Sequence, residues 1–514
     1  MDDMPLTMNH SFLISFSSRD FVSPILTRAL ITPQTLSWSA FGGPDRAVLR
    51  MDGSVSVLLQ LASLLRCPVN IHDMAATPVW WGYVDQITIY FEGSKFTISL
   101  DQLFNKVKVT YSFISPDIRL ADQLETSYAE SAASQLEYGI REIVLHRLNL
   151  DNDFAEEFRD TFLSLHQWPS SVLSSLEKPG LCYAEVSCSG WFSTLAWQSY
   201  ENLDGFYANY GPGPGTQIFG YPNYRYPAQN FTPAVACSLK YAWFLIRKIG
   251  SPTSNMSARL YSDSAGNPNA VLATSGTVAG SSLSSSVYRW VCFTFSSPYA
   301  LSAATPYWIA LNGAASSTSN YYIMRVDENA CFIQDGHLAR INQGGTWNTL
   351  SNTTSPKTDP DLHFRVVCVS DTGSQLLDIS NSVDQFFKTV LTLDTGLDVS
   401  PFRSGQNTGL EEIITLMELG TSNQRLILAD VNPDLVLRFY EQPDPAVPTS
   451  FLDRSGHFYT REGKPLAAHF PPVGQWVGLS GVDHFLMPFD QVRAPNCFVE
   501  HITYDLVSGR VRIN

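Results

Sequence analysis

A catalytic centre in a chain of 514 residues would show itself as a few residue types at fixed spacing, and this sequence offers little of that kind. It contains no GxSxG, HExxH or phosphate-loop pattern. The ten histidines are dispersed, and His337, His363, His457, His469, His484 and His501 lack cysteine or carboxylate neighbours at metal-ligand spacing. Asp151-Asn152-Asp153 begins like a calcium loop, but the acidic and glycine positions that should follow are missing. Asp327-Glu328 reads as a solvated turn, with calcium binding the alternative its two carboxylates leave open. Eight cysteines (Cys67, Cys182, Cys188, Cys237, Cys292, Cys331, Cys368, Cys497) occur without a CxxC pair. A strand from Cys182 to Cys188 would hold its ends about 20 Å apart at roughly 3.3 Å per residue, too far for a disulfide. The expectation is buried free thiols in a reducing cytoplasm, no metal, no cofactor and no enzymatic activity. Glycosidase carboxylate pairs obey no fixed spacing, so the sequence is silent on them.

Binding chemistry is better represented. A saccharide packs on a flat aromatic ring and pairs its hydroxyls with amides, carboxylates or guanidinium groups. The residues that fit are Tyr321 and Tyr322, adjacent on one strand so that one must face outward, and Trp347 with Asn348 in the loop-like stretch Gly344-Gly345-Thr346-Trp347-Asn348. Trp243, Trp290 and Trp308 stand in apolar strands and read as core. Trp80, Trp81, Trp191 and Trp197 read as core or as a subunit interface, where aromatics are enriched.

The elements that must position these residues are mainly strands. From Gln86 the chain alternates: Ile87, Ile89 and Phe91 share one face, and Gln86, Thr88 and Tyr90 share the other, a solvated face by their polarity. Glu92-Gly93-Ser94 breaks the run before Phe96, Ile98 and Leu100 repeat it, so a hairpin is predicted, with a third strand at Val107, Val109 and Tyr111. One hairpin is marginal alone, so a larger barrel or sandwich must hold it. Ser54–Arg66 has helical spacing, with Ser54 as N-cap. Leu124, Tyr128, Leu136, Ile140, Ile143, Val144 and Leu148 read as a stripe on one or two helices. The stretch Asp151-Asn152-Asp153 is placed to cap a further helix through Phe154, Phe158, Phe162 and Leu165.

The Gly/Pro/Tyr-rich stretch between Asn209 and Pro227 reads as a linker. Beyond it the texture turns Ser/Thr/Ala/Asn-rich, with short strands at regular spacing from Tyr241 to Val369, the mark of a β-sandwich inserted in a host. Helices are predicted at Ser380–Leu391 and Leu410–Leu419. The fold class is therefore mainly β with helical connectors (α+β). A net charge of −15 argues against sequence-independent binding to nucleic acid phosphates, and no specific nucleic acid binding is expected. No apolar run reaches the roughly 18 residues that span a bilayer. The acidic start, MDDMPLTMNH, is unlike a secretory signal.

Four stretches, taken in order, carry a resemblance. They are Phe41-Gly42-Gly43-Pro44-Asp45-Arg46-Ala47; Trp81-Gly82-Tyr83-Val84 followed by Leu103-Phe104-Asn105-Lys106-Val107; Glu137-Tyr138-Gly139-Ile140-Arg141-Glu142; and Ser189-Gly190-Trp191-Phe192-Ser193-Thr194-Leu195 with Trp197. Together the sequence resembles the tail-hub or minor tail proteins of long-tailed bacteriophages and prophages, over roughly 1–210 and more weakly over 372–514. The resemblance implies a β-barrel hub domain at 1–120, a helical connector at 121–180 and a discontinuous second hub domain at 181–227 and 372–514. It also implies a homo-oligomeric ring, trimeric or hexameric, in the virion tail tip. Its partners would be the tail tube, the tape measure and a central fibre. The resemblance carries no expectation of the lytic or peptidase activity that some members of that family have. The insert at 228–371 resembles jelly-roll carbohydrate-binding modules through Ser257–Ser264, Tyr288–Phe293, Tyr307–Leu311 and Asp361–Val366, which implies host-surface glycans as ligands. A cellular or secreted carbohydrate-binding protein is the other reading these residues leave open.

Overall fold

The structure, a computed structural model, describes residues 12–113, 122–148, 150–175, 182–202, 206–209, 215–221, 225–233, 236–313, 317–327, 339–349, 351–352, 355–356, 361–393, 397–399, 403–444, 450–452, 458–460, 464–466, 473–478, 497–508 and 510–513. Glu328, Cys331, His337, His457, His469 and His484 lie outside the described residues. The fold is mainly β with helical connectors. It divides into two units: Met1–Tyr200, Leu376–Leu397 and Gly405–Asn514 form the first, and Glu201–Gln375 with Asp398–Ser404 the second.

A long antiparallel sheet organises the first unit. Tyr183–Ser189 lies at its centre, between Pro78–Phe91 and Phe41–Asp52. Beyond Phe41–Asp52 come Leu30–Ser39 and then His501–Asp505, so the end of the chain returns beside its start. The alternation read from the sequence is realised: Ile87 and Ile89 are buried. Pro78–Phe91 pairs with Ser94–Ser99 through a turn in which Glu92 (φ 45°) and Gly93 (φ 81°) are both left-handed, as a type I′ hairpin turn requires. The opposite face is more covered than its polarity suggests. Thr88 is buried between Thr97 and Glu185, and Tyr90 stacks on Tyr183 at 4.6 Å.

Lys106–Phe113 forms a separate small sheet, where the sequence reading also needs correction. The stripe through Ile140, Ile143, Val144 and Leu148 is not helical: Glu142–Leu148 is a strand that pairs in parallel with Lys106–Phe113. The helix Ala132–Tyr138 ends because Gly139 turns left-handed (φ 83°). Asn105 fixes the exit, since its side-chain amide donates to the Gly139 carbonyl (2.7 Å) and its oxygen accepts from the Arg141 N–H (2.8 Å). The next helix, Asn152–His166, starts within the predicted Asp151-Asn152-Asp153 stretch, where the Asp151 carboxylate accepts from the Phe154 N–H. Ser54 occupies the N-cap position of Val55–Gln60 but makes no side-chain cap bond, and a 3₁₀ turn, Leu61–Leu64, completes that segment.

The four stretches singled out in the sequence interlock in this unit. A Cβ on Gly42 would stand 2.5 Å from the Phe192 ring, and one on Gly190 would fall on the Pro44 carbonyl. Gly82 lies against the Ser189 carbonyl in the same manner. Tyr83 packs on Trp191 (5.2 Å) and Trp197 (5.3 Å) and shares a hydrogen bond with Ser193 (2.9 Å). The Arg141 guanidinium covers Trp197 at 4.5 Å. Close backbone approach is what these glycines supply.

Several carboxyls near this junction are desolvated. Burial pushes Asp85, Asp384 and Asp430 above the ordinary carboxylate range, opposed by Arg141 at Asp85, backbone N–H groups at Asp384 and Arg438 at Asp430. The folded state therefore holds these protons more tightly than the unfolded one. Their contribution to stability falls as pH rises from about 3.9, the free Asp value, through the raised values. Asp430→Asn is expected to flatten that part of a melting-temperature profile against pH. An unchanged slope would show that Asp430 is not the desolvated group.

The second unit is a two-sheet antiparallel sandwich. One sheet has Cys237–Ile249 at its centre, flanked by Arg289–Leu301 on one edge and by Phe364–Asp371 and Tyr321–Asp327 on the other. The other runs Asn267–Thr274, Asn255–Ser264, Tyr307–Gly313, Tyr226–Phe231, Ala339–Gln343, Thr346–Thr349. Phe219, Phe244, Phe293 and Phe364 from the first meet Leu260, Ile309, Leu311 and Ile341 from the second in one core. The stretch read as a linker supplies strands to both sheets. Gly215–Phe219 pairs with Tyr321–Asp327, and Tyr226–Phe231 lies between Tyr307–Gly313 and Ala339–Gln343. Of the cysteines, Cys67, Cys188, Cys237 and Cys368 are buried free thiols, Cys292 is half-buried and Cys182 is exposed.

Candidate functional site

The candidate site is the outer face of the sandwich sheet that carries Trp347. Pairing fixes which side chains share that face. Tyr261 stands opposite Trp308, and Trp308 opposite Asn230. One row along, Arg259, Ala310, Ala228 and Arg340 stand opposite one another in turn, and in the next row Asn342 stands opposite Trp347. Three strands separate Asn255–Ser264 from Thr346–Thr349. On a flat sheet that spacing is about 19 Å at roughly 4.8 Å per strand. The Tyr261 and Trp347 rings nevertheless meet edge to face, with centroids 5.8 Å apart. The sheet must therefore curl, and it can because Ala228 and Ala310 leave the floor between the two arms low. Arg340 closes the same span from the other direction, its Nε donating to the Gly266 carbonyl (3.4 Å).

The result is a shallow trough floored by the buried Tyr261 and Trp308 rings, with Trp347 as its solvent-open ring and polar groups beside it. Trp308 is fully buried at the base and donates its indole N–H to the Asp263 carboxylate (2.7 Å). Tyr261 is 7% exposed. Trp347 stays half-buried, packed on this cluster but open to solvent. Arg259 donates to the Asn312 side-chain oxygen (2.8 and 3.2 Å) once that amide is turned to face it. One solvent-open ring fixed by packing, Trp347, beside carboxylate, guanidinium and amide groups, is what a saccharide ring and its hydroxyls require. Among the described residues no group of three His, Cys, Asp or Glu side chains stands at metal-binding distance.

The four sequence-chosen sugar residues do not assemble into one site. Tyr322 is fully buried in the sandwich core, its hydroxyl donating to the Ser254 carbonyl (2.7 Å), so it offers no ring face and is corrected to a core residue. Tyr321 is on the other sheet, half-buried and edge-on to Tyr221 (5.5 Å). Trp347 and Asn348 belong to a strand, Thr346–Thr349, rather than a loop. They are consecutive on it, so only Trp347 enters the trough while Asn348 points away, exposed. Tyr261, Asp263, Trp308 and Arg340 were missed, because only strand register brings them beside Trp347. The sequence reads Trp308 as core, which is right for its ring and omits its hydrogen bond to Asp263. Trp243 and Trp290, also read as core, are half-buried on the far sheet; Arg365 covers Trp290 at 4.4 Å.

The tryptophans of the first unit are placed differently. Trp80, Trp191 and Trp197 are buried, and Trp81 is half-buried with its indole N–H donating to the Val431 carbonyl (2.8 Å). The first three keep no free ring face for a neighbouring subunit.

No family model matches the chain, and no curated protein does. Among solved structures, it aligns with a variant of the clostridial cysteine protease Cwp84 after propeptide cleavage, at 11% identity and a TM-score of 0.25, over 38% of this chain and 45% of that one. It aligns with the cysteine protease and lectin-like domains of Cwp84, a surface layer associated protein of Clostridium difficile, at 13% identity and a TM-score of 0.24, over 38% and 40%. The mosquito-larvicidal Cry4Aa toxin of Bacillus thuringiensis aligns at 7% identity and a TM-score of 0.15, over 57% and 51%. The chain spans under half the length of the two Cwp84 structures. Likenesses this distant carry no functional argument.

Proposed function

We propose that this chain is a non-enzymatic structural protein of a phage tail tip. In this reading the first unit joins tail tube to distal parts and the second contacts surface saccharides through its curved face. The observation that carries the saccharide half is the half-exposed Trp347 ring, held in place by the buried Tyr261 and Trp308 rings and flanked by Asp263 and Arg340. The tail half rests on the resemblance of the four sequence stretches, and their interlocking in one core supports treating them as a single feature. A ring bearing several copies of the second unit would turn weak single-site affinity into firm attachment, provided all copies reach the surface together. The test is light scattering with negative-stain imaging of the purified full-length chain over a wide concentration range. Closed rings with an axial hole are expected. A chain that stays monomeric throughout contradicts the ring.

A further inference from the structure

The first unit holds a buried cation with no described counter-ion. Arg66 is 6% exposed, and its backbone is held in the left-handed region (φ 65°), which a non-glycine residue adopts at a cost. One guanidinium nitrogen donates to the Arg19 carbonyl, while Nε has no partner. The Phe386 ring lies 4.6 Å from the guanidinium carbon and the Phe21 ring 5.8 Å. Neighbouring Arg19 is no substitute partner, since it is itself a cation and is already paired with Glu137. Burial, with Arg19 reinforcing it, pulls Arg66 down to about 10, so it stays charged at neutral pH.

Beside this cation opens a cleft of about 830 Å³. Its walls are mixed: Arg19 and Arg66 as cations, Asp20 and Glu137 as carboxylates already engaged by the Val22 N–H and by Arg19, and Phe21, Ile25, Leu136 and Phe386 as apolar surface. Large apolar side chains are exposed at its mouth and close by in sequence, with Leu136 at 90%, Val22 at 77% and Leu26 at 94%. An uncompensated buried charge is costly to keep, and exposed apolar groups around a cleft mark an interaction surface.

We infer that this cleft is a docking site for an extended segment of a partner protein in which a carboxylate side chain adjoins an apolar one. The carboxylate pairs with Arg66 through the fork geometry a guanidinium offers, and the apolar side chain covers Phe21 and Leu136. This site stands whether or not the second unit binds saccharides.

The test titrates the full-length chain with the blocked peptide Ac-Leu-Asp-Leu-Asp-NH2, its Asn counterpart Ac-Leu-Asn-Leu-Asn-NH2, and inorganic phosphate. The acidic peptide is expected to bind at least tenfold more tightly than either of the others. Arg66→Met is expected to abolish that binding without lowering the melting temperature, because it removes a buried charge with no described counter-ion while keeping an apolar side chain against Phe386. Leu136→Glu alters only an exposed position and is expected to weaken binding at least fivefold. Equal binding of the Asn peptide, or phosphate binding as tightly as the acidic peptide, would overturn the inference, the latter in favour of a small-anion pocket. So would no binding at all, or an affinity that Leu136→Glu leaves unchanged. A lower melting temperature for Arg66→Met with binding retained would assign the arginine to structure.

Discussion

Gly190→Ala is expected to destabilise the first unit by at least about 3 kcal/mol, seen as a fall in its melting temperature of roughly 10 °C or as loss of soluble protein. The cost does not come from backbone dihedrals, because Gly190 has an ordinary φ of −69°. It comes from space. The added Cβ would land on the Pro44 carbonyl, 2.6 Å from its carbon and 3.4 Å from the Asp45 nitrogen. Both obstacles are backbone, and the Gly190 N–H is tied to the Asp45 carbonyl at 2.7 Å, so neither side can withdraw alone. The contact joins two of the four stretches singled out in the sequence, Phe41–Ala47 and Ser189–Leu195. Gly276→Ala is the control, since its Cβ would meet only the Thr294 carbonyl at 3.6 Å. It is expected to change stability by under about 0.5 kcal/mol, apart from the ordinary entropy gain. A Gly190→Ala protein that melts with the wild type would mean that the junction is looser than described.

Trp347→Ala is expected to cost at least tenfold in saccharide affinity, about 1.4 kcal/mol, in a titration with the full-length chain. Its effect on stability is expected to stay near 1 kcal/mol, because the ring is half-buried on an edge strand and loses mainly its contact with Tyr261. Trp308→Ala should behave in the opposite sense. That ring is fully buried and hydrogen-bonded to Asp263, so its removal is expected to cost about 3–5 kcal/mol of stability. Asn348→Ala should leave affinity unchanged, since the side chain points away from the trough. If Trp347→Ala leaves affinity intact while Asn348→Ala reduces it, the saccharide lies against the other side of the strand and the trough is not the site.

How much of this was readable beforehand follows from the range of each interaction. Local patterns survive: Ile87 and Ile89 alternate into the core, Glu92-Gly93 turns the hairpin, and Asp151 caps its helix. Each is settled within a few residues. The reading failed where a partner distant in sequence decides. Ile143 and Val144 have spacing compatible with a helix, yet Gly139 stops the helix and Lys106–Phe113 offers a parallel edge. Gly215–Phe219 is drawn out of a linker-like composition by Tyr321–Asp327. At Trp347 a local signal was available. Gly344 and Gly345, both left-handed (φ 60° and 103°), join Gln343 directly to Thr346, and a two-residue Gly-Gly between strands marks a hairpin. Reading that signal would have separated Trp347 from Asn348 by strand alternation. Nothing in the sequence, by contrast, announces that Tyr261 and Arg340 converge on the same trough, because that depends on the curl of a six-strand run.

The curved face of the second unit is the central claim, and hydrogen–deuterium exchange tests it most directly. The full-length chain would be screened against a panel of bacterial surface saccharides, and its exchange then measured with and without the tightest binder. The account expects added protection in Tyr261–Gly266 and Arg340–Thr349, the two arms that meet across Ala228 and Ala310, with little change elsewhere in the sandwich. Protection confined to the opposite sheet, around Tyr288–Phe293 and Tyr321–Arg325, or a panel in which nothing binds, would contradict it.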